Sequence, residues 1–130
     1  MRVVVDAGAV LHLVREEIDV PHQHELLAPT LLRSQVLSTL HDAVQRGELE
    51  AEVALEQVAR VRRLKIRLLG DAVLQRRAWA IADVLGWAET YTAEYLALTQ
   101  LQADAFVTLD DELAQEVAGV VATATLDALR

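Results

Sequence analysis

Short β-branched and leucine-rich runs alternate along this chain with stretches whose apolar residues return every three or four positions. Val3-Val4-Val5 places three β-branched residues in succession and predicts a strand over 3–6. A helix is expected over 9–14, and the polar stretch 16–25, which carries Pro21, predicts a loop. Leu26, Leu27 and Ala28 form a short strand candidate closed by Pro29. Helix is expected from 31 to about 46, because Leu32, Val36, Leu40 and Val44 recur every four residues and Gly47 stops the pattern. Ala51, Ala54, Val58 and Val61 mark a further helix. The run 65–69 fits either a strand or the end of that helix. Gly70-Asp71 then opens a long helix with Leu74, Ala78, Ile81 and Leu85 on one face and Gly86 as its stop. Residues 92–101 are apolar on nearly every side of a helix, so this element should be buried on more than one face. A strand over 105–109, a short helix from Asp111 and a strand around 120–122 complete the pattern. Alternation of this kind predicts a three-layer α/β/α fold around a mainly parallel sheet. With short linkers and one continuous pattern, 1–130 reads as a single domain.

Composition narrows the class. With 53% hydrophobic residues the chain is not expected to be disordered. It has no cysteine, which excludes disulfides, thiolate metal sites and a cysteine nucleophile. The charge at Asp6 cuts the first apolar run short, so neither a signal peptide nor a membrane span is expected, and a cytoplasmic location is.

Charge adds an asymmetry. The net charge of −8 argues against unspecific nucleic-acid binding over the whole surface. Yet residues 60 to 77 hold Arg60, Arg62, Arg63, Lys65, Arg67, Arg76 and Arg77 against Asp71 alone. Such a segment either meets a phosphate backbone or an acidic peptide, or is a solvated helix face followed by the outer residues of a strand.

Two aspartates carry the candidate chemistry. Asp6 ends the first apolar run and Asp110 ends the run 105–109, so in a parallel sheet both stand at one carboxyl rim. Ligands bind at that rim in open α/β sheets, and paired carboxylates there suit a magnesium ion. Either residue alone also reads as the N-cap of the following helix. His22 and His24 have a spacing that suits a metal only from an extended loop with further ligands. His12 and His41 fall on helical stretches and read as packing or surface residues. No glycine-rich phosphate loop follows the first strand and no serine sits in a nucleophile elbow, so nucleotide-cofactor and serine-hydrolase chemistry fall away.

The stretch Val3-Val4-Val5-Asp6-Ala7-Gly8-Ala9-Val10-Leu11 resembles the first strand and helix of PIN domains. Residues 28–37, from Ala28 through Gln35 to Leu37, look like the second motif of that family. Tyr91-Thr92-Ala93-Glu94-Tyr95-Leu96-Ala97-Leu98, followed by Phe106-Val107-Thr108-Leu109-Asp110, is similar to its closing pair. The segments appear in the family's order across nearly the whole chain, with the nearest likeness to VapC-type toxins of toxin–antitoxin pairs. The resemblance implies a ribonuclease with Mg2+ or Mn2+ held by acidic residues, a VapB-like antitoxin partner and a homodimer. Asp6 and Asp110 match the first and last acidic positions. Gln35 stands where the family has a glutamate and Thr92 where it has an aspartate, so two of the four acidic groups are neutral here. Asp111, Glu89 and Glu94 are the candidate substitutes. Two functions follow: a metal-dependent ribonuclease with a partly degenerate site of Asp6, Asp110, Gln35 and Thr92, or an inactive PIN domain that binds RNA or protein. Trp79 and Trp87 read either as core or, with Leu85, as part of a partner surface.

Overall fold

A computed structural model describes residues 1–130. Five strands form one parallel sheet: β1 (Arg2–Val5), β2 (Glu25–Pro29), β3 (Ile66–Leu69), β4 (Ala105–Val107) and β5 (Thr123–Ala124). Their order across the sheet is β3-β2-β1-β4-β5. The most β-branched run of the chain lies at the centre, where Val3 pairs with Leu26 on one side and Ala105 on the other. Val3, Val4 and Val5 are fully buried, as a strand covered on both faces requires.

Six helices connect the strands: α1 (Ala7–Arg15), α2 (Leu32–Gln45), α3 (Ala51–Arg63), α4 (Ala72–Leu85), α5 (Tyr91–Gln102) and α6 (Asp111–Val117). The first three pack on one another, as do α4 and α5. Right-handed crossovers send the return from β3 to β4, through α4 and α5, over the face opposite α1. This makes a three-layer α/β/α molecule around a parallel sheet, as the alternation predicts, with the PIN-like fold that the resemblance implies. Helix α5 lies directly on the sheet, and Ala93, Tyr95, Leu96, Ala97, Leu98 and Thr99 are all buried, matching its nearly all-apolar sequence. Phe106 is the largest fully buried side chain.

Several boundaries differ from the sequence pattern, each for a local reason. Helix α1 begins at Ala7 because Asp6 caps it directly. The ambiguous run 65–69 resolves into β3, paired in register with β2. Strand β4 ends at Val107, and Leu109 is exposed. The strand expected around 120–122 lies later, at Thr123–Ala124. The N–H groups of Val120 and Val121 both donate to the Val117 carbonyl, at 2.8 and 3.1 Å, so these valines form the turn that closes α6. The tryptophans part company: Trp79 is 68% exposed, while Trp87 is half-buried and its Nε1–H donates to Glu116 at 3.0 Å. No helix is long and apolar enough to cross a membrane.

Candidate active site at the carboxyl rim

The strand order reverses between β1 and β4, because connections leave β1 toward β2 on one side and reach β4 on the other. Loops after two such strands diverge and leave a crevice at their carboxyl ends. Asp6 follows β1 and Asp110 lies just beyond β4, so the expectation of two carboxylates at one rim matches the structure. A cavity of about 330 Å3 opens there. Asp6, Gly8, Gln35, Ser38, Thr39 and Thr92 line it, with Tyr95 and Phe106 deeper in. A Cβ at Gly8 would make an ordinary contact with Asp6 Oδ1 at 3.8 Å.

Both aspartates are also helix caps. Asp6 Oδ1 accepts the N–H of Ala9 at 2.9 Å, and Asp110 Oδ1 accepts the N–H of Leu113 at 3.0 Å. The cap and the rim readings therefore hold together, and capping uses one oxygen of each carboxylate. Thr108 lies between the two. Its hydroxyl accepts the N–H of Asp110 at 3.2 Å, and its closeness to Asp6 favours the charged carboxylate there. Burial pushes the Asp6 carboxyl above the usual range, and the neighbouring charge of Asp110 adds to the rise. The bonds from Thr108 and Ala9 oppose it.

The opposite wall is neutral. Gln35 comes from the first turn of α2 and Thr92 from that of α5, so the structure brings both family positions to the cavity. Tyr95 donates its hydroxyl to Gln35 Oε1 at 2.6 Å, which occupies the amide oxygen. Burial, with the charges of Asp6 and Glu94, holds the Tyr95 phenol protonated far above its ordinary range.

None of the three candidate substitutes lines the cavity. Helix α5 starts at Tyr91, so Glu89 lies before it and is exposed rather than sharing the side of Thr92. Asp111 is exposed in the first turn of α6. Glu94 is half-buried, and burial raises its carboxyl. His22 is exposed, and no group of three or more histidines, aspartates and glutamates converges anywhere in the chain.

The donor set therefore does not fit a clamp of two ions. It does fit one hydrated ion of the magnesium class, which keeps most of its waters and is held by one or two carboxylates. Sequence reasoning missed Thr108, Tyr95, Ser38 and Thr39. A signal existed for the last two, since they lie three and four positions after Gln35 and share its face of a helix. The basic segment proves divided: Arg60 pairs with Glu17, Arg63 with Glu56 and Arg67 with Glu25, all near the surface. It runs from the end of α3 through β3 into α4, as the solvated-face reading expects.

Among solved structures the chain is similar to PAE2754 from Pyrobaculum aerophilum, with a TM-score of 0.79 at 20% identity, covering 99% of this chain and 92% of that one. It is also similar to VapBC-1 from nontypeable Haemophilus influenzae, with a TM-score of 0.64 at 11% identity, covering 98% and 99%. At such identities the likeness is one of fold. No protein-family model and no curated protein matches the chain.

Proposed function

We propose that this chain is a VapC-like PIN-domain ribonuclease that hydrolyses RNA phosphodiesters with one Mg2+ or Mn2+ ion at a partly degenerate acidic site. The observation that supports it is the crevice itself. At the switch point of a parallel sheet Asp6 lines a polar cavity, and Asp110, outside its lining, is near enough for its charge to raise the Asp6 carboxyl; each keeps one oxygen left over from capping. Asp6 and Asp110 would hold the ion, which when bound supplies a water of lowered pKa and neutralises charge on the phosphate. The chain's own residues do the rest. Thr108 favours the charged form of the Asp6 carboxylate beside it, while Ser38, Thr39 and Thr92 offer hydroxyls to a phosphate in the cavity. Gln35 has its amide oxygen taken by Tyr95, which leaves its amide N–H groups as the donors it can offer.

The partner that suits this reading is a VapB-like antitoxin. An apolar groove of about 240 Å3 between α2, α3 and β3, walled by Val36, Leu37, Val58 and Ile66 and flanked by Arg33 and Arg62, fits an apolar segment carrying acidic residues. The reading also carries a cytoplasmic location.

A second reading rests on the neutral wall. With Gln35 held by Tyr95 and no third acid near, the domain would bind RNA or protein without cutting. Calorimetric titration with Mn2+ and Mg2+, paired with cleavage of a mixed RNA pool, separates the two. Under the nuclease reading the wild type binds one ion and cuts, and Asp6→Asn loses both. If the wild type binds no ion and only Gln35→Glu/Thr92→Asp does, the nuclease reading fails and the binding module stands.

A further inference from the structure

No lysine or arginine lines the rim cavity; Asp6, Gln35, Ser38, Thr39 and Thr92 supply its polar groups. A protein that grips RNA by its backbone does so through lysine and arginine, releasing counterions from the phosphates. This cavity has no such side chain to offer, and Asp6 with the nearby Asp110 carries the opposite sign. An RNA strand held here therefore needs an uncharged contact. Stacking of a base on an aromatic ring is such a contact, and every base has a face for it.

One ring stands where a base would lie. Tyr91 is the first residue of α5, and Tyr95, four positions on, lies deep in the cavity. At 3.6 residues per turn, Tyr91, Tyr95 and Thr92 fall within about 100° of arc, with Tyr95 between the other two. Tyr91 thus continues the cavity side of α5 outward, about 6 Å of helix rise from Tyr95. One nucleotide spans a similar distance from phosphate to base. The ring is 54% exposed, whereas Tyr95 and Phe106 are buried. Tyr91 is absent from the core and from the side chains packed on it, and its hydroxyl bonds to nothing in the chain. It has no structural duty.

We propose that Tyr91 is the base-stacking residue of this site: its ring takes the face of the nucleobase next to the phosphate that Gln35, Ser38, Thr39 and Thr92 receive. The inference rests on RNA as the ligand of the reading above and holds whether or not the strand is cut. A tyrosine has two side-chain torsions to fix, so the stack costs little ordering. It sets which phosphate enters the cavity without reading which base adjoins it.

Fluorescence anisotropy of a fluorescein-labelled RNA dodecamer of mixed sequence, titrated with the full chain in excess EDTA to prevent cleavage, tests it. Tyr91→Ala should raise the Kd at least about fivefold, while Tyr91→Phe and Tyr91→Trp stay within about twofold of wild type. Trp79→Ala, which removes the other strongly exposed aromatic, should change nothing. On an abasic dodecamer, wild type and Tyr91→Ala should bind alike. Steady-state cleavage in Mn2+ should show KM raised and kcat nearly unchanged in Tyr91→Ala, because the ring is remote from the reacting atoms. Absence of cleavage together with a Kd that depends on Tyr91 sinks the nuclease reading and leaves this one standing. A Tyr91→Ala Kd equal to that of wild type, an equal loss on the abasic strand, or a wild type that binds no RNA overturns the proposal.

Discussion

The two walls of the rim cavity differ in what the fold asks of them. On the sheet side Asp6, in the cavity wall, and Asp110, just outside it, start helices α1 and α6, and Thr108 accepts the N–H of Asp110. On the helix wall Gln35 and Thr92 cap nothing: α2 and α5 begin without a side-chain cap. Their one strong attachment is the bond from Tyr95 to Gln35. The acids here are thus the residues with a second, structural duty, and the neutral residues opposite have none. Capping accounts for one oxygen of each aspartate; the other oxygen and the cavity beside Asp6 are what support cleavage, and a measurement that separates charge from capping tests it.

The largest effect expected comes from dividing those duties at Asp6. Asp6→Ala removes a cap and should cost about 0.5–2 kcal/mol, read by urea unfolding, together with any ion binding and RNA cleavage. Asp6→Asn keeps the capping oxygen, so it should lose the ion and the cleavage while leaving stability at or above wild type. Equal losses of stability in the two variants would erase the contrast between the walls. Next in size, Gln35→Glu/Thr92→Asp should tighten Mn2+ binding by about tenfold or more, since two carboxylates join the two already there. The same pair should lower stability without metal, because like charges then crowd one cavity. An unchanged Kd for Mn2+ would show that the helix wall is too far from the ion to matter.

Tyr95→Phe should cost about 1 kcal/mol by urea unfolding through the lost bond to Gln35 and leave metal binding intact. The smallest effect is a pH dependence. Asp6 has its carboxyl raised by burial, so the folded state binds its proton more tightly than the unfolded state does. Its contribution to stability is full below the ordinary value of 3.8 and is lost as pH rises through the raised, folded value. Asp6→Asn should therefore melt a few degrees above wild type at pH 7, with the gap closing toward pH 4. A gap that is constant with pH would mean that the burial of Asp6 carries no charge penalty.

Much of this was legible in the residues. The three β-branched valines announced the central strand, and Asp71 and Gly86 framed α4 as a cap and a left-handed stop at φ +70°. The shared rim of Asp6 and Asp110 followed from two apolar runs alone, given parallel strands. What stayed hidden depends on contacts between distant segments. Thr108 reads as one more strand residue until the crevice sets it between two carboxylates. Tyr95 reads as core, which it is, yet its hydroxyl reaches across from α5 to α2. Trp79 and Trp87 carry the same residue type on or beside one helix, and only the position of α5 and α6 decides which is covered. The valines at 120–121 misled for a plainer reason: their β-branched type favours a strand, yet the turn tolerates them because Val121 is buried in the core.

The place of β1 also fixes when the protein can become complete. The strand is made first yet sits at the sheet's centre, and its partner on the far side arrives late: the backbone N–H of Arg2 bonds to Asp104, 102 positions along the chain. Ribosomes add about 5–20 residues each second, so the first strand waits several seconds for that partner. Until then the nascent chain has Asp6 without Asp110, and half a crevice. The crevice exists only once both Asp6 and the segment that ends in Asp110 have been made and their strands have paired.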